Sequence, residues 1–425
     1  MNLSVLSDAF AQSSSNNSAL QNQRASALDA LLESGFPTRR DELWKYTRSD
    51  ALADFAIEAV AADTKGETAN TTARIETALA NVNATCQLVF VDGQLDSDRT
   101  KLPQGLSLDA DVAADSAGEF DGRAHALLLM NSALPTADLT LSTSTDTVID
   151  EPLHIVHIDS GSRRLAQVRM TLAIASGSAL TINEQFLSVG ETAHMNNQAI
   201  HAQLGADAQL RLHRLQQLNQ DALQVTRIEA TLEERASLSA FTLDIGSQLT
   251  RNDLNVRLEG AESQVDMRGI YLGDGAQHID NHTRVDHVAR DTRSNEDYRG
   301  ILRDQCRAVF NGKVMVHVGA DGTDATQSNP NLLLSDHAEI DTKPELEIYA
   351  DDVKCAHGAT VGQIDDKSLF YLRSRGIDQD TAMQLLTYAF CRETLDEIDD
   401  DALRIRIEQM IADQIPDFSA LELIA

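Results

Sequence analysis

The segment Ser178-Ala179-Leu180-Thr181-Ile182 is the first copy of a short pattern that returns along the middle of the chain. Copies of the same form follow at residues 208–212, 236–240 and 263–267, with a later one at 338–342. The central apolar residues of the first four copies are 30, 28 and 27 positions apart: Leu180, Leu210, Leu238 and Val265. Periods of this length are typical of solenoids, in which stacked copies share one core.

Short runs of alternating apolar and polar residues fill the chain from about residue 152 to 362. This alternation predicts strands, and strand-only repeats predict a β-helix. A β-sandwich also has short strands at regular spacing and remains the alternative. Hairpin turn pairs such as Asp92-Gly93 are scarce through most of the region, which favours the solenoid.

Helical periodicity marks both ends of the chain. We predict a mainly β protein with a helical region at residues 1–80, a β-helix core at 81–365 and a helical region at 366–425. Gly376 should end one C-terminal helix, and Asp378 should cap the next. The segment 36–47 holds the only tryptophan, Trp44, which we interpret as an anchor between the N-terminal helices and the core.

The charge of the chain limits the kinds of partner that it can bind. The 425 residues carry 35 basic and 66 acidic side chains and a formal charge of −31. Such a chain repels phosphate backbones and anionic membranes, so neither nucleic acid nor a membrane is an expected partner. Residues 1–4 lack the character of a signal peptide, no apolar run reaches membrane-spanning length, and we expect a cytoplasmic protein.

The segment 346–362 contains the candidate metal ligands Cys355 and His357. We expect a strand at 346–349, a turn at Asp351-Asp352, and a second strand that turns again between Gly358 and Gly362. Residues two apart on a strand point the same way, so the thiol and the imidazole lie roughly 7 Å apart at Cα and can reach one metal ion.

An inert buried cysteine and a hydrogen-bonded histidine are the alternative interpretation of this pair. Two ligands also do not close a metal site, which usually takes four. The missing ligands would come from a partner chain or from solvent. The four cysteines lie far apart and indicate neither a disulfide framework nor a zinc ribbon: Cys86, Cys306, Cys355 and Cys391.

A second histidine group, His278, His282 and His287, does not have the spacing of a known metal motif, and we interpret it as structural.

Motifs for catalysis are missing too. Gly312-Lys313 is followed by Val314, so no phosphate-binding loop is present and no ATP site is expected. A polysaccharide lyase or hydrolase with a carboxylate-lined groove and a purely structural homodimer remain rival interpretations.

Three motifs together resemble the SufB/SufD family of the SUF iron–sulfur cluster assembly system. They are Lys-Pro-Glu-Leu-Glu-Ile at 343–348, Ala-Asp-Asp-Val-Lys-Cys-Ala-His-Gly-Ala-Thr at 350–360 and Leu-Phe-Tyr-Leu-Arg-Ser-Arg-Gly-Ile at 369–377. The Lys-Cys-x-His-Gly form is similar to the SufD branch. Segments 36–47, 297–300 and 310–314 also resemble the family.

The resemblance implies a right-handed parallel β-helix between helical ends. It implies a non-catalytic subunit that pairs with SufB through the β-helix and with the ATPase SufC through the C-terminal helices, or with itself when alone. Cys355 and His357 would then lie at the SufB interface, where SufB supplies the remaining ligands to iron or to a nascent cluster. Thiolate and imidazole suit iron.

Overall fold

A computed structural model describes residues 3–13, 17–62, 69–110, 122–161, 163–396, 398 and 400–415. The helices are α1 (Ser4–Gln12), α2 (Ser18–Ser34), α3 (Ser49–Ala61), α4 (Ala69–Val82), α5 (Ala126–Ala133), α6 (Asp366–Ser374), α7 (Gln379–Leu395) and α8 (Asp401–Gln414). The strands are β1 (Gln87–Val91), β2 (Gln94–Leu95), β3 (Leu106–Ala110), β4 (Ala137–Thr143), β5 (Leu153–Asp159), β6 (Leu165–Ala166), β7 (Val168–Ile174), β8 (Ala179–Ser188), β9 (Met195–Leu204), β10 (Gln209–Leu218), β11 (Leu223–Leu232), β12 (Ser237–Gly246), β13 (Leu249–Leu258), β14 (Gln264–Gly273), β15 (His278–His287), β16 (Arg293–Leu302), β17 (Arg307–Val316), β18 (Asp324–Leu333), β19 (Glu339–Ile348) and β20 (Lys354–Gly362).

The strands form two sheets that coil as a parallel β-solenoid. One sheet has the order β2-β1-β5-β8-β10-β12-β14-β16-β18-β20, and the other has the order β19-β17-β15-β13-β11-β9-β7-β4-β3, with β6 beside β9. From β7 onward the chain alternates between the sheets, and from β9 onward each strand pairs in parallel with the strand two places earlier. The predicted β-helix is confirmed, and the β-sandwich alternative is excluded.

The repeats in the sequence stack in register. Leu180, Leu210, Leu238 and Val265 occupy one position on neighbouring strands of the first sheet, and each is at most 3% exposed. The copy at 338–342 is the exception, because its central residue Ile340 lies on β19 of the second sheet. Inner positions alternate in both sheets, so the pattern alone does not distinguish them.

Tight corners join the strands. Five corner residues have φ between 52° and 61°: Asp207, Arg235, Glu262, Asp291 and Asp304. Left-handed backbone at one residue lets the chain turn sharply from one sheet to the other without a hairpin. These corners keep successive coils in the same register.

The N-terminal helices are tied to the second sheet through Trp44, as the sequence predicted. Its ring is 3% exposed, and its Nε1 donates to the carbonyl of Ala124 at 2.9 Å. The Arg251 guanidinium stacks 4.2 Å from the ring centroid and reaches Asp280 at 2.7 Å. Burial alone would raise the pKa of Asp280, but His282 and Arg251 bring it below its usual range.

The C-terminal helices differ in how much they bury. Apolar residues of α7 and α8, including Cys391 and Ile407, pack against outward-facing side chains of the first sheet such as Leu243 and Ile270. Asp378 caps α7 by accepting from Thr381 N at 3.0 Å, as predicted. By contrast, α6 has no buried residue. The division into three domains stays a prediction.

One local prediction is wrong. The chain does not turn at Gly358, because β20 continues in parallel pairing with β18 from Lys354 to Gly362. The preceding strand is also longer than the predicted 346–349, since β19 begins at Glu339. Backbone pairing with an existing edge holds both segments extended. Among the described residues, no helix is long and apolar enough to cross a membrane.

Replacing Arg251 with methionine should detach the N-terminal anchor. The change removes the guanidinium from the buried Asp280 and from the partly exposed Asp253 and leaves Asp280 with His282 alone, which costs up to about 3–5 kcal/mol of unfolding free energy. The control is Arg235→Met, which breaks an exposed pair with Asp207 and should have no measurable effect. Urea unfolding of the full chain measures both variants, and equal midpoints would contradict the anchor.

The same pair predicts a pH dependence. The pKa of Asp280 is depressed in the folded chain, so the stabilisation is fully present above the unfolded value of about 4 and is lost as the pH falls through the folded pKa. The stability difference between the wild type and Arg251→Met should therefore shrink in acid. A difference that stays constant from pH 7 to pH 3 would contradict this account.

Candidate functional site

Cys355 and His357 lie on β20, the last strand of the first sheet. Cys355 pairs with Ala325 of β18, and His357 pairs with Gln327. Ala325 and Gln327 are inner residues that are 1% and 3% exposed. Register partners on parallel strands point the same way, so Cys355 and His357 are on the inner face at the open end of the solenoid.

The two candidate ligands differ in burial. Cys355 is half-buried against a small apolar cluster that includes Val316 and Ala325. Burial, with the nearby Asp324, raises the pKa of the thiol. A soft metal must therefore displace the thiol proton. His357 is exposed, and among the described residues no strand lies beyond β20 in this sheet.

As a metal site, the pair of Cys355 and His357 would be incomplete, and we call it the candidate half-site. Among the described residues, no three His, Cys, Asp or Glu side chains converge into a group that could hold a metal. A closed site for a soft metal usually has four ligands. Two ligands that face out of an open solenoid end can be completed only by groups from outside the described coil.

Inner residues that share the register position of His357 on successive strands of the first sheet form a column, and this column becomes polar on the two strands next to β20. Glu296 and Gln327 hold the same register position on β16 and β18, where Met267 stands on β14. Gln327 Nε2 donates to Glu296 Oε2 at 3.2 Å, and the Thr283 hydroxyl donates to the same oxygen. Burial raises the pKa of Glu296 to about 7.

Sequence reasoning did not identify this polar column. Glu296 and Gln327 look like outward residues unless the coils are aligned position by position. The aligned column shows the change from apolar to polar: Ile182, Leu212, Ala240, Met267, Glu296, Gln327 and His357. That alignment is the signal that could have found them.

A second ionic cluster lies deeper in the solenoid. Glu184 is fully buried and lies 2.9 Å from His157 Nε2 and 2.7 Å from Arg214 Nε. Burial would raise the pKa of Glu184, but Arg214 and His157 lower it to about 2. This carboxylate is paired within the core, so we assign it to packing and not to the site.

The other histidine group is structural, as interpreted from sequence. His278 Nε2 lies 2.8 Å from the Thr47 hydroxyl, and His282 Nε2 lies 2.9 Å from Asp280. His287 is buried between two hydroxyl groups, and burial lowers its pKa to about 4. His278 and His282 belong to one network through Thr47 and Asp280, whereas His287 contacts Thr292 and Ser294, so the three rings do not converge on one point.

Apolar side chains surround the open end. Ile348, Tyr349 and Val361 on or beside the last two strands are 41%, 59% and 51% exposed. On α6, which follows β20, Phe370 and Tyr371 are 75% and 57% exposed. Exposed apolar groups that cluster next to a strand edge are characteristic of interaction surfaces.

Known proteins resemble this chain along most of its length. Residues 156–390 match the family model described as SUF system FeS cluster assembly, SufBD core domain. The iron-sulfur cluster assembly protein SufD of Escherichia coli (strain K12) is 31% identical over 394 residues, 92% of each chain. An iron-sulfur cluster assembly SufBD family protein of Synechocystis is 27% identical over 432 residues, 96% of this chain and 94% of that protein.

Thiol accessibility tests the placement of Cys355. The other cysteines are at most 3% exposed, so one thiol per native chain should react with a disulfide reagent and four should react after denaturation. Because burial raises its pKa, the native reaction should be slow at neutral pH and accelerate with rising pH. Cys355→Ser should remove it, and a native reaction that survives this change would contradict the placement.

Proposed function

The chain belongs to the SufBD family of the SUF iron–sulfur cluster assembly system, and from this we propose that it is a non-catalytic subunit that pairs with SufB and with the ATPase SufC. Iron or a nascent cluster is its transient cargo, in a cytoplasmic complex. The observation that carries the proposal is the placement of Cys355 and His357 together at an uncovered solenoid end. Thiolate and imidazole are suitable ligands for iron.

The open end supports a partner that is itself a β-helix. A terminal coil without a cap exposes its inner apolar face and one row of backbone groups. A second solenoid stacked there would cover Ile348, Tyr349 and Val361 and pair with β20. SufB is the proposed partner, and its side chains would complete the ligand set of Cys355 and His357. A second copy of this chain would use the same end when SufB is absent.

The C-terminal helices support the contact with SufC. The inner sides of α7 and α8 are already packed on the first sheet, whereas α6 presents Phe370 and Tyr371 to solvent. Aromatic residues are prominent among those that dominate binding energy at interfaces. The segment from β20 to α6 joins the candidate half-site to this surface within a few residues. ATP-driven movement of SufC would therefore act close to the SufB interface, as a shear-type change.

His357→Ala should abolish cluster assembly without dissociating the complex. The change removes a metal ligand from an exposed position, so the unfolding free energy should change by no more than about 0.5 kcal/mol. The assay is complementation of a strain that depends on the SUF system, with co-purification and thermal melting of the complex. The matched control is His337→Ala, at an exposed histidine outside β20, which should retain full complementation.

Two results would reject the ligand role of His357. One is full complementation by His357→Ala. The other is lost complementation with a lowered melting temperature, which would assign the histidine to folding.

Replacing Phe370 and Tyr371 together with serine should weaken SufC binding by about 2 kcal/mol or more. Both side chains are exposed, so the melting temperature of the isolated chain should not fall. Titration of SufC against the purified variant measures the affinity. The control is Val148→Ser, at a 64% exposed residue before β5, and SufC binding equal to wild type in the aromatic variant would move the docking surface elsewhere.

A further inference from the structure

The amide oxygen of Gln327 lacks a hydrogen-bond donor in the described part of the chain, although it is buried. The amide nitrogen donates to Glu296 Oε2 at 3.2 Å. Glu296 Oε2 also accepts from the Thr283 hydroxyl, so this oxygen serves as an acceptor, and the contact directs the amide nitrogen toward Glu296 and the amide oxygen away from it. A buried acceptor without a donor is unfavourable, and each such case in a native protein calls for an explanation.

Packing holds this amide in place. A Cβ built on Gly312 of β17 would lie 1.9 Å from Gln327 Nε2 and 2.7 Å from its Cδ. Glycine at that position therefore gives the Gln327 side chain the room it occupies across the interior. Glu296 and the β17 backbone at Gly312 both lie beside the amide nitrogen, so neither of them occupies the space next to the amide oxygen.

His357 is the next residue in the same column. It pairs with Gln327 on the adjacent strand, and neighbouring strands lie about 4.8 Å apart. A neutral imidazole has one N–H and one lone pair. A histidine that binds a metal through one nitrogen almost always donates from the other, which fixes its tautomer and its orientation.

We propose that Gln327 is a positioning residue for His357. When a partner covers the open end, Gln327 Oε1 accepts the ring N–H of His357 and leaves the other ring nitrogen to the metal. Glu296 acts one step further back by orienting the amide. This inference rests on the proposed function, because it gives His357 the role of a metal ligand.

The proposal is tested by titrating Co²⁺ into the complex of the full chain with SufB. The visible absorption of Co²⁺ reports its binding. Gln327→Met keeps the length of the side chain and removes the acceptor. It should weaken Co²⁺ binding about 10–100-fold, with the spectrum at saturation and the co-purification of SufB unchanged. Gln327→Glu keeps an oxygen acceptor, shares a proton with Glu296, and should retain most of the affinity.

Gln224→Met is the matched control. Gln224 on β11 is also buried, at 1% exposure, and its amide oxygen also lacks a donor among the described residues. The same chemical change there should leave Co²⁺ affinity at the wild-type value. Weakening by both methionine variants alike would mean a general packing effect and would overturn the proposal.

A double-mutant cycle separates positioning from packing. In the His357→Ala background, Gln327→Met should cause no further loss of affinity, because the residue it orients is gone. An undiminished further loss would overturn the proposal, as would equal losses in Gln327→Met and Gln327→Glu. Wild-type Co²⁺ affinity in Gln327→Met, with lost affinity in His357→Ala, would overturn it and leave the proposed function standing. Wild-type affinity in His357→Ala would overturn both.

Discussion

Parallel hydrogen bonding at a constant register is the constraint on which the rest of the structure depends. Each coil lies over the one before it, and every side chain inherits the direction of its register partner. A slip of one residue would turn the inner columns outward. It would also move Cys355 and His357 from the mouth of the interior to the outer surface. The buried column through Leu210 and Leu238 therefore fixes which way Cys355 and His357 face several strands away.

Much of this architecture could be predicted because its causes are local. The spacing of Leu180, Leu210, Leu238 and Val265 predicted stacked coils, since each copy needs an apolar residue at one inner position. The helix limits at Gly376 and Asp378 followed from backbone freedom and side-chain capping. The likeness of the last motifs to a known family then gave the class of function, which spacing alone left open.

The rest depended on contacts between residues distant in sequence. Gly358 looked like a turn because glycine weakens strands, but pairing with β18 keeps it extended. Ile340 has the same local pattern as Leu210 but lies on the other sheet. The local pattern does not say which sheet a strand joins, since that depends on the order of the strands along the coils. Glu296 and Gln327 were missed for a related reason. A buried polar residue is recognised by the groups that surround it, here Thr283 and Gly312, which no local pattern contains.

The number of stacked coils also determines how far apart two features lie along the solenoid axis. Contacts of α7 with β14 and β16 fix that helix beside those strands, while Cys355 and His357 lie on β20, two strands further along the sheet than β16. At about 4.8 Å per strand, that interval is roughly 10 Å along the solenoid axis. Gaining or losing one coil between β16 and β20 would change the interval by a whole strand spacing, with little effect on the core. The number of coils in this part of the chain therefore sets the distance along the solenoid axis between α7 and β20.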